Sequence, residues 1–143
     1  MLLVLDTNEY LFAFGAATQL PSVQLLDWLT IHRQSVQLRV PRLIVEEIRR
    51  NVSAEAFREV LAVIHAFTII DEDVLVPFEL GAKYERRGLK PADAFIAAYA
   101  EWVGASVLIS ENRHFLTRQP ELPFQVMTAQ AFLDTHLRRP RPH

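Results

Sequence analysis

The chain has 143 residues, of which half are apolar and 22% charged, a balance typical of one soluble globular domain. It has no cysteine, which excludes a disulfide framework, a thiolate zinc site and a cysteine nucleophile. The net charge of −2 argues against a protein that coats nucleic acid indiscriminately, and no apolar run approaches the roughly 20 residues of a membrane span. With an acid already at position 6, where a secretory signal would be apolar, the sequence predicts a cytoplasmic protein without a membrane partner.

The first half of the chain predicts short strands separated by helices. The apolar run Leu2–Leu5 is typical of a buried strand, and Asp6 favours the N-cap of the helix that follows. Pro21 suits a first helical turn, and Ser53 can cap a further helix. The predicted elements are strands over 2–5 and 36–40, and helices from 7 to about 15, over 21–32, over about 42–51 and after 53.

The second half continues the alternation of strands and helices. One helix is predicted over Asp73–Arg87 despite Pro77, with Gly88 as its C-cap glycine. Residues 138–143 are basic and broken by prolines, so a flexible tail is predicted after a single domain over 1–137. The other predicted elements are strands over 67–70, 106–109 and 124–127, and helices over 91–103 and 128–137.

This alternation indicates an α/β fold with three layers, α/β/α, around a mostly parallel central sheet. Right-handed crossovers would place helices on both faces of the sheet. In such sheets, ligands bind at the carboxyl ends of the strands. Polar side chains that directly follow a strand are therefore the first candidates for a functional site.

Three acids are candidates for that edge. Asp6 follows the first strand, although a helix cap alone would also explain it. Asp93 is the sole charged residue in the apolar segment 91–100, where a favourable interaction with the helix dipole is the alternative explanation. Glu47 lies beside the apolar stripe of its predicted helix, whereas Glu46 lies nearly opposite that stripe and is predicted to face solvent.

Further oxygen-bearing side chains follow the predicted strand over 106–109. Ser110, Glu111 and Asn112 can be ordinary turn residues, but their oxygens can also support a cation or its waters. Several carboxylates at one sheet edge suit Mg²⁺ or Mn²⁺, which prefer oxygen ligands. Because Mg²⁺ commonly completes its shell with phosphate oxygens, phosphodiester hydrolysis is the chemistry that this set of residues predicts.

Four segments in order make the chain resemble the PIN-domain nucleases, and among them the VapC-type toxins of bacterial toxin–antitoxin pairs. The resemblance extends over nearly the whole chain. The segments that carry it are Leu3–Asn8, Pro41–Ile48, Pro91–Ala98 and Val107–Phe115.

The resemblance implies an endoribonuclease that uses Mg²⁺ (or Mn²⁺) to hydrolyse RNA. By position, Asp6, Glu47 and Asp93 match the family's metal-holding acids, and Asn112 stands where the family often has another acid. The residues expected to support the site are Thr7, Ser110 and Glu111, and those expected to contact RNA are Arg49, Arg50 and Arg113.

The same resemblance implies binding partners for the chain, and two other functions are to be weighed against it. A VapC-type toxin would bind a small antitoxin protein and would form a homodimer. Because Asn112 replaces an acid, the alternative function is a PIN-like scaffold that binds RNA or protein without cutting. A phosphoacceptor signalling domain would also have this layered architecture, but it needs paired acids after the first strand, and Asp6 is alone there.

Overall fold

A five-stranded sheet forms the centre of the fold in the computed structural model, which describes residues 1–113, 115 and 121–137. Its strands in chain order are β1 (Leu2–Leu5), β2 (Gln37–Pro41), β3 (Thr68–Asp71), β4 (Val107–Ile109) and β5 (Gln125–Met127). They lie in the order β3-β2-β1-β4-β5, and every neighbouring pair is parallel. All carboxyl ends therefore point to one edge of the sheet, as predicted.

Seven α-helices flank the sheet in the described part of the chain. They are α1 (Thr7–Phe14), α2 (Leu20–Ile31), α3 (Arg42–Asn51), α4 (Ala54–Phe67), α5 (Phe78–Arg86), α6 (Pro91–Val103) and α7 (Ala129–Leu137). Helix α1 packs against α2, α3 and α4, and α7 packs against α2, while α5 packs against α6. The predicted three-layer α/β/α fold class is confirmed.

The central strands are apolar along their length because both of their faces are covered. In β1, Leu3, Val4 and Leu5 are fully buried, and so are Leu108 and Ile109 in β4. A strand with one solvated face would alternate apolar and polar residues instead. Strands β1 and β4, which belong to the segments Leu3–Asn8 and Val107–Phe115 of the family resemblance, therefore lie side by side in the middle of the core.

The predicted helix boundaries are largely confirmed by the caps. Asp6 accepts a hydrogen bond from the backbone N–H of Thr7, and Ser53 accepts one from that of Ala56. Gly104 ends α6 at φ 73°, in the left-handed region that glycine enters without steric strain. These local signals set where α1, α4 and α6 begin or end.

The helix predicted over Asp73–Arg87 is wrong in its first part. A 3₁₀ helix covers Asp73–Leu75, and α5 starts only at Phe78, with Pro77 as its N-cap. Proline lacks an N–H and disfavours helical backbone in the residue before it, so a continuous helix cannot run through position 77. The interruption leaves apolar side chains between β3 and α5 exposed to solvent.

Two further predictions concern a membrane-spanning helix and the C-terminal tail. Within the described ranges, no helix combines the length and the apolar character of a membrane span. The tail predicted over 138–143 lies outside those ranges, so it stays a prediction.

Candidate functional site

The register of β1 and β4 places two of the predicted site residues side by side. Leu5 pairs with Ile109, and the backbone N–H of Asp6 donates to the Ile109 carbonyl at 2.9 Å. The next residue of each strand thus reaches the carboxyl edge together. There the Ser110 hydroxyl donates to Asp6 Oδ2 at 2.8 Å, and both side chains are buried.

Helix α3 brings Glu47 to the same edge. It starts directly after β2, the neighbour of β1, and buries Ile44, Val45 and Ile48 against the core. The Thr7 hydroxyl, next to Asp6, donates to Glu47 Oε2 at 2.5 Å. Glu47 therefore contacts the start of α1, next to Asp6.

Helix α6 supplies Asp93 from its first turn. Most of the helix between Ala94 and Ala100 is buried, and Asp93 itself is half-buried at the edge of this stretch. Asn112 Nδ2 donates to Asp93 Oδ2 at 3.2 Å, and the Asn112 backbone N–H donates to Ser110 Oγ at 3.0 Å. A continuous path of hydrogen bonds and adjacent residues thus joins the three acids: Glu47, Thr7, Asp6, Ser110, Asn112 and Asp93.

The electrostatics of Asp6 reflect this arrangement. Burial raises the pKa of its carboxyl, and the negative charges of Asp93 and Glu47 raise it further. Hydrogen bonds from Ser110 and from the Thr7 backbone act in the opposite direction but do not outweigh burial. A cation beside Asp6 would remove this penalty, because an opposite charge favours the ionised form.

The donor chemistry at this edge fits a hard cation such as Mg²⁺. Each of the three acids is held by a neutral donor, and the ion pairs between described residues use other acids, namely Glu46, Asp71, Glu72 and Glu101. Within the described residues, no three acidic or histidine side chains form a ready group of metal ligands. Mg²⁺ commonly uses one or two carboxylates and completes its shell with water and substrate phosphates, so a preformed cage is not required.

The remaining predicted residues lie around this path. Glu111 accepts a hydrogen bond from the Ala129 N–H at 3.3 Å, at the start of α7. Arg49 and Arg50 are exposed on the last turn of α3, and Arg49 makes an ion pair with Glu46. Arg113 is exposed directly after Asn112.

Sequence reasoning missed one polar residue near the site. Glu9 lies in α1, three residues after Asp6, and is fully buried. Its Oε2 accepts a hydrogen bond from Ser22 Oγ of α2 at 2.9 Å. The spacing Asp-x-x-Glu could have drawn attention to it, but that pattern is typical of a capping box, in which the glutamate returns to the helix start.

The five-stranded parallel sheet, with helices on both sides and with Asp6 and Ser110 at its carboxyl edge, defines the class of the protein as α/β. The family model of the PIN domain matches residues 3–119. The chain therefore belongs to the PIN domain family, whose members are generally nucleases. No curated protein sequence matches the chain significantly.

Solved structures with low sequence identity have the same fold. VapBC2 from Rickettsia felis, bound to a DNA fragment from its promoter, is 17% identical with a TM-score of 0.61, over 88% of this chain and 97% of that one. FitAcB from Neisseria gonorrhoeae is 16% identical with a TM-score of 0.59, over 90% and 98% respectively. FitAB bound to an IR36 DNA fragment is 17% identical with a TM-score of 0.58, over 89% and 94%.

Proposed function

We propose that this chain is a metal-dependent endoribonuclease that hydrolyses RNA phosphodiester bonds, as the toxin of a type II toxin–antitoxin pair. The observation that carries the proposal is the hydrogen-bonded path joining Glu47, Asp6 and Asp93 at the carboxyl edge. Family membership supports nuclease chemistry, and the fold shared with VapBC2 and FitAcB supports the toxin role.

The three acids have distinct tasks in this proposal. Asp6 and Asp93 hold Mg²⁺ (or Mn²⁺), and Glu47 completes the acidic set. Bound there, the cation would supply an activated water and stabilise negative charge on the phosphate oxygens. Each carboxylate has about four acceptor positions, so Asp6 can bind a cation while it keeps the hydrogen bonds from Thr7 and Ser110.

The neutral residues orient the acids. Thr7 fixes one oxygen of Glu47, and Ser110 fixes one oxygen of Asp6. Asn112 donates to Asp93, so it helps to aim that carboxylate without adding a negative charge. With an amide at position 112 instead of an acid, the set of ligands favours one cation over two.

Substrate contacts are assigned to the exposed arginines beside the acids. Arg50 is one helical turn from Glu47, and Arg49 precedes it on the same exposed turn of α3. Arg113 follows the segment that holds Asp93. Guanidinium groups bind phosphates with two hydrogen bonds, which suits the backbone of an RNA strand.

The proposed protein partner is a small antitoxin, and the cytoplasm is the proposed location. Copurification with a short protein encoded beside this chain would support the partner, and so would growth arrest when the chain is expressed alone. Harmless, high expression of a form that cuts RNA would contradict the toxin role.

A homodimer is the proposed assembly. Val74, Leu75 and Phe78 form an exposed apolar cluster, with Val74 and Phe78 more than 80% exposed. Beside it lies a groove of about 480 Å³ lined by Pro77, Phe78 and Phe95. Exposed apolar clusters mark interaction sites, and a side chain next to a matching groove can pair with a second copy around a two-fold axis. Phe78→Asp should give a monomer in sedimentation equilibrium if this surface is the interface.

The test of the nuclease is cleavage of a structured RNA pool with Mg²⁺ or Mn²⁺, comparing the wild type, Asp93→Asn and the wild type with chelator. Cutting by the wild type alone is expected. Equal cutting by all three would reveal a contaminant or another site and would contradict the assignment of the acids. Silence of all three, with the antitoxin partner removed, would favour the second candidate function.

That second candidate is a PIN-like scaffold that binds RNA or protein without cutting. The observation that favours it is Asn112, which provides an amide where the family often has an acid. A scaffold would bind RNA in gel-shift assays without cutting it, and Asp93→Asn would leave that binding unchanged.

A further inference from the structure

A cavity, the α1–α3 cavity, is formed by the last turns of α1 and α3 and the first turn of α4. Its volume is about 560 Å³, and none of the described residues that line it is acidic. An aromatic ring, a guanidinium and an amide contribute to its lining, from Phe14, Arg50 and Asn51. The size and the mixture of apolar and polar groups are typical of a binding site for a small organic molecule.

The α1–α3 cavity lies beside the proposed acidic site. On α3, Asn51 follows Glu47 by four residues, so both lie on one face, about 6 Å apart along the helix axis. The Asn51 side-chain amide donates to the Glu47 backbone carbonyl at 2.7 Å. On α1, Phe14 lies two turns after Thr7, whose hydroxyl donates to the Glu47 carboxylate. Because α1 packs against α3, the cavity is one to two helical turns from Glu47.

Arg50 supplies positive charge to the cavity. Helix α3 has two other arginines, and both are neutralised. Arg42 forms an ion pair with Glu72. Arg49 forms one with Glu46. Arg50 makes no ion pair with a described residue, and its Nε donates to the Glu46 backbone carbonyl at 3.3 Å. Its two Nη groups can therefore bind an external anion, and a guanidinium matches the geometry of a phosphate.

Phe14 and Asn51 provide a surface for a nucleobase. Phe14 is half-buried and packs against the core, so its ring is held at the wall of the cavity. Asn51 uses one N–H for the Glu47 carbonyl, and its amide oxygen and second N–H can bind a ligand. Unpaired bases of RNA stack on aromatic side chains and form hydrogen bonds through their edges.

The walls of the cavity are fixed by backbone contacts. The Gly15 N–H donates to the Leu11 carbonyl at 2.7 Å, and a Cβ at position 15 would collide with that oxygen. Ser53 caps α4 by accepting a hydrogen bond from the Ala56 N–H at 3.1 Å. The helix ends that form the cavity are thus in place before a ligand binds, which lowers the entropic cost of binding.

We propose that the α1–α3 cavity binds one unpaired nucleotide of the RNA beside the cleaved bond, with Arg50 on its phosphate and Phe14 and Asn51 on its base. The substrate is then single-stranded RNA, because a base that is stacked and paired in a duplex cannot enter the cavity. The identification of this RNA as the substrate rests on the proposed nuclease function. A segment of the antitoxin is the competing occupant, and the experiments separate the two.

The first experiment measures binding without cleavage, in chelator and with Asp93→Asn in every protein. The probe is a fluorescently labelled, unstructured RNA of about 8 nucleotides, whose anisotropy gives Kd. We expect Arg50→Gln to raise Kd by about 10-fold and to reduce its salt dependence, because one phosphate contact is lost. Phe14→Leu should raise Kd by about 5-fold or more, because leucine has no ring face for stacking. Binding of a duplex of the same length should not respond to Phe14→Leu.

Two matched controls lie on α4, outside the lining of the cavity. Arg58→Gln removes an exposed arginine, and Phe57→Leu removes a half-buried ring that packs against the core. Both proteins should bind the RNA probe as the wild type does. Equal losses in Phe57→Leu and Phe14→Leu, or in Arg58→Gln and Arg50→Gln, would overturn the proposal, because position in the cavity would then not matter.

The second experiment sequences the ends of cut RNA from a single-stranded pool of random sequence with Mg²⁺ or Mn²⁺. The wild type should prefer particular bases at one position beside the cut. Asn51→Ala should weaken this preference, because alanine cannot form hydrogen bonds with a base edge. Absence of any base preference beside the cut in the wild type would overturn the proposed base contacts.

The two experiments distinguish this proposal from the proposed nuclease. If the wild type cuts RNA but Phe14→Leu and Arg50→Gln bind the probe normally, the nuclease stands and the cavity proposal fails. If the wild type cuts no RNA and the binding losses still occur, the nuclease fails and the cavity remains a site for single-stranded RNA. Loss of a copurifying antitoxin in Phe14→Leu and Arg50→Gln, with RNA binding unchanged, would assign the cavity to the protein partner and overturn the proposal.

Discussion

Two strands of the sheet lead into a buried aspartate, and the two aspartates have opposite surroundings. Asp71 ends β3 and accepts hydrogen bonds from Arg39 at 2.6 and 2.9 Å and from the Tyr99 hydroxyl. Asp6 follows β1 and accepts from two neutral groups, the Thr7 N–H and the Ser110 hydroxyl. Both residues are only 6% exposed to solvent.

The partners of the two aspartates determine what each charge can do. Burial acts to raise the pKa of Asp71, but the hydrogen bonds from Arg39 and Tyr99 outweigh it, and the pKa is lowered. Burial raises the pKa of Asp6, and its acidic neighbours add to the effect. The charge of Asp71 is thus compensated inside the fold, whereas that of Asp6 is suited to a cation from outside. Asp71 thus has a charged partner within the structure, whereas the two donors to Asp6 are neutral.

The largest expected effect is the loss of cleavage on removing an acid of the site. Asp6→Asn should reduce the rate of RNA cleavage by about 100-fold or more, because the proposed direct contact to the cation would be lost. Its thermal stability without divalent cations should be equal to or above that of the wild type, since a buried charge is removed. Initial rates and calorimetric melting in chelator measure the two quantities. Normal cleavage by Asp6→Asn would show that Asp6 is not needed for the reaction, and would contradict the proposed difference between Asp6 and Asp71.

Asp71→Asn should have the reverse pattern. The substitution leaves Arg39 beside a neutral group and weakens the hydrogen bond from Tyr99, so we expect a loss of about 2 kcal/mol in the free energy of unfolding. Cleavage below the melting range should stay near the wild-type rate. Urea unfolding measures the stability of both proteins. Initial rates of cleavage are measured at roughly 20 degrees below the thermal midpoint of the variant, so that both proteins are folded. Loss of cleavage in a stable Asp71→Asn protein would mean that Asp71 belongs to the site.

Much of the fold could be predicted because each local signal agrees with the tertiary structure. The apolar runs of β1 and β4 need cover on both faces, and the caps at Asp6, Ser53 and Gly104 mark where helices start and stop. The continuous helix predicted over Asp73–Arg87 is wrong because the helical spacing of its apolar residues does not take account of the missing N–H of Pro77. Periodicity predicts which face is buried, but it does not show whether the backbone hydrogen bonds can form.

The site was only partly predictable for a different reason. Strand ends indicated Asp6 and Ser110, since parallel strands bring their carboxyl ends to one edge. The hydrogen bond of Glu9 depends on α2, which brings Ser22 to it, and its raised pKa depends in part on the charge of Glu111 from a distant part of the chain. No local pattern contains those partners. The same holds for Asp71, whose role depends on Arg39 and Tyr99.

A smaller effect is expected in the pH dependence of stability. The pKa of Glu9 is raised to about 8 from its ordinary 4.5, so the folded state keeps a proton that the unfolded state releases between these values. Its contribution is fully present below about pH 4.5 and is lost as pH rises to about 8, at roughly 1.4 kcal/mol per pH unit. Asp71, with its lowered pKa, acts in the opposite direction and loses its contribution at acid pH.

Glu9→Gln removes the titrating carboxyl, so it isolates the contribution of Glu9 to the pH dependence of stability. In chelator, the free energy of unfolding of the variant should fall less steeply than that of the wild type from pH 5 to pH 8, a window taken from the raised pKa of Glu9. A residual slope from Asp6 is expected, because its pKa is also raised. Parallel curves would show that Glu9 does not hold a proton in the folded state.

The smallest expected effect concerns an ion pair in solvent. Arg49 and Glu46 on α3 are 56% and 41% exposed, in contrast to the pair of Arg39 with the buried Asp71. An exposed pair contributes little because water screens it, so Arg49→Gln should change the free energy of unfolding by less than about 0.5 kcal/mol. If Arg49 contacts RNA, the same variant should raise KM a few-fold with kcat unchanged, and added salt should reduce the difference from the wild type. A fall in kcat at saturating RNA would instead connect Arg49 to the reaction at the acids.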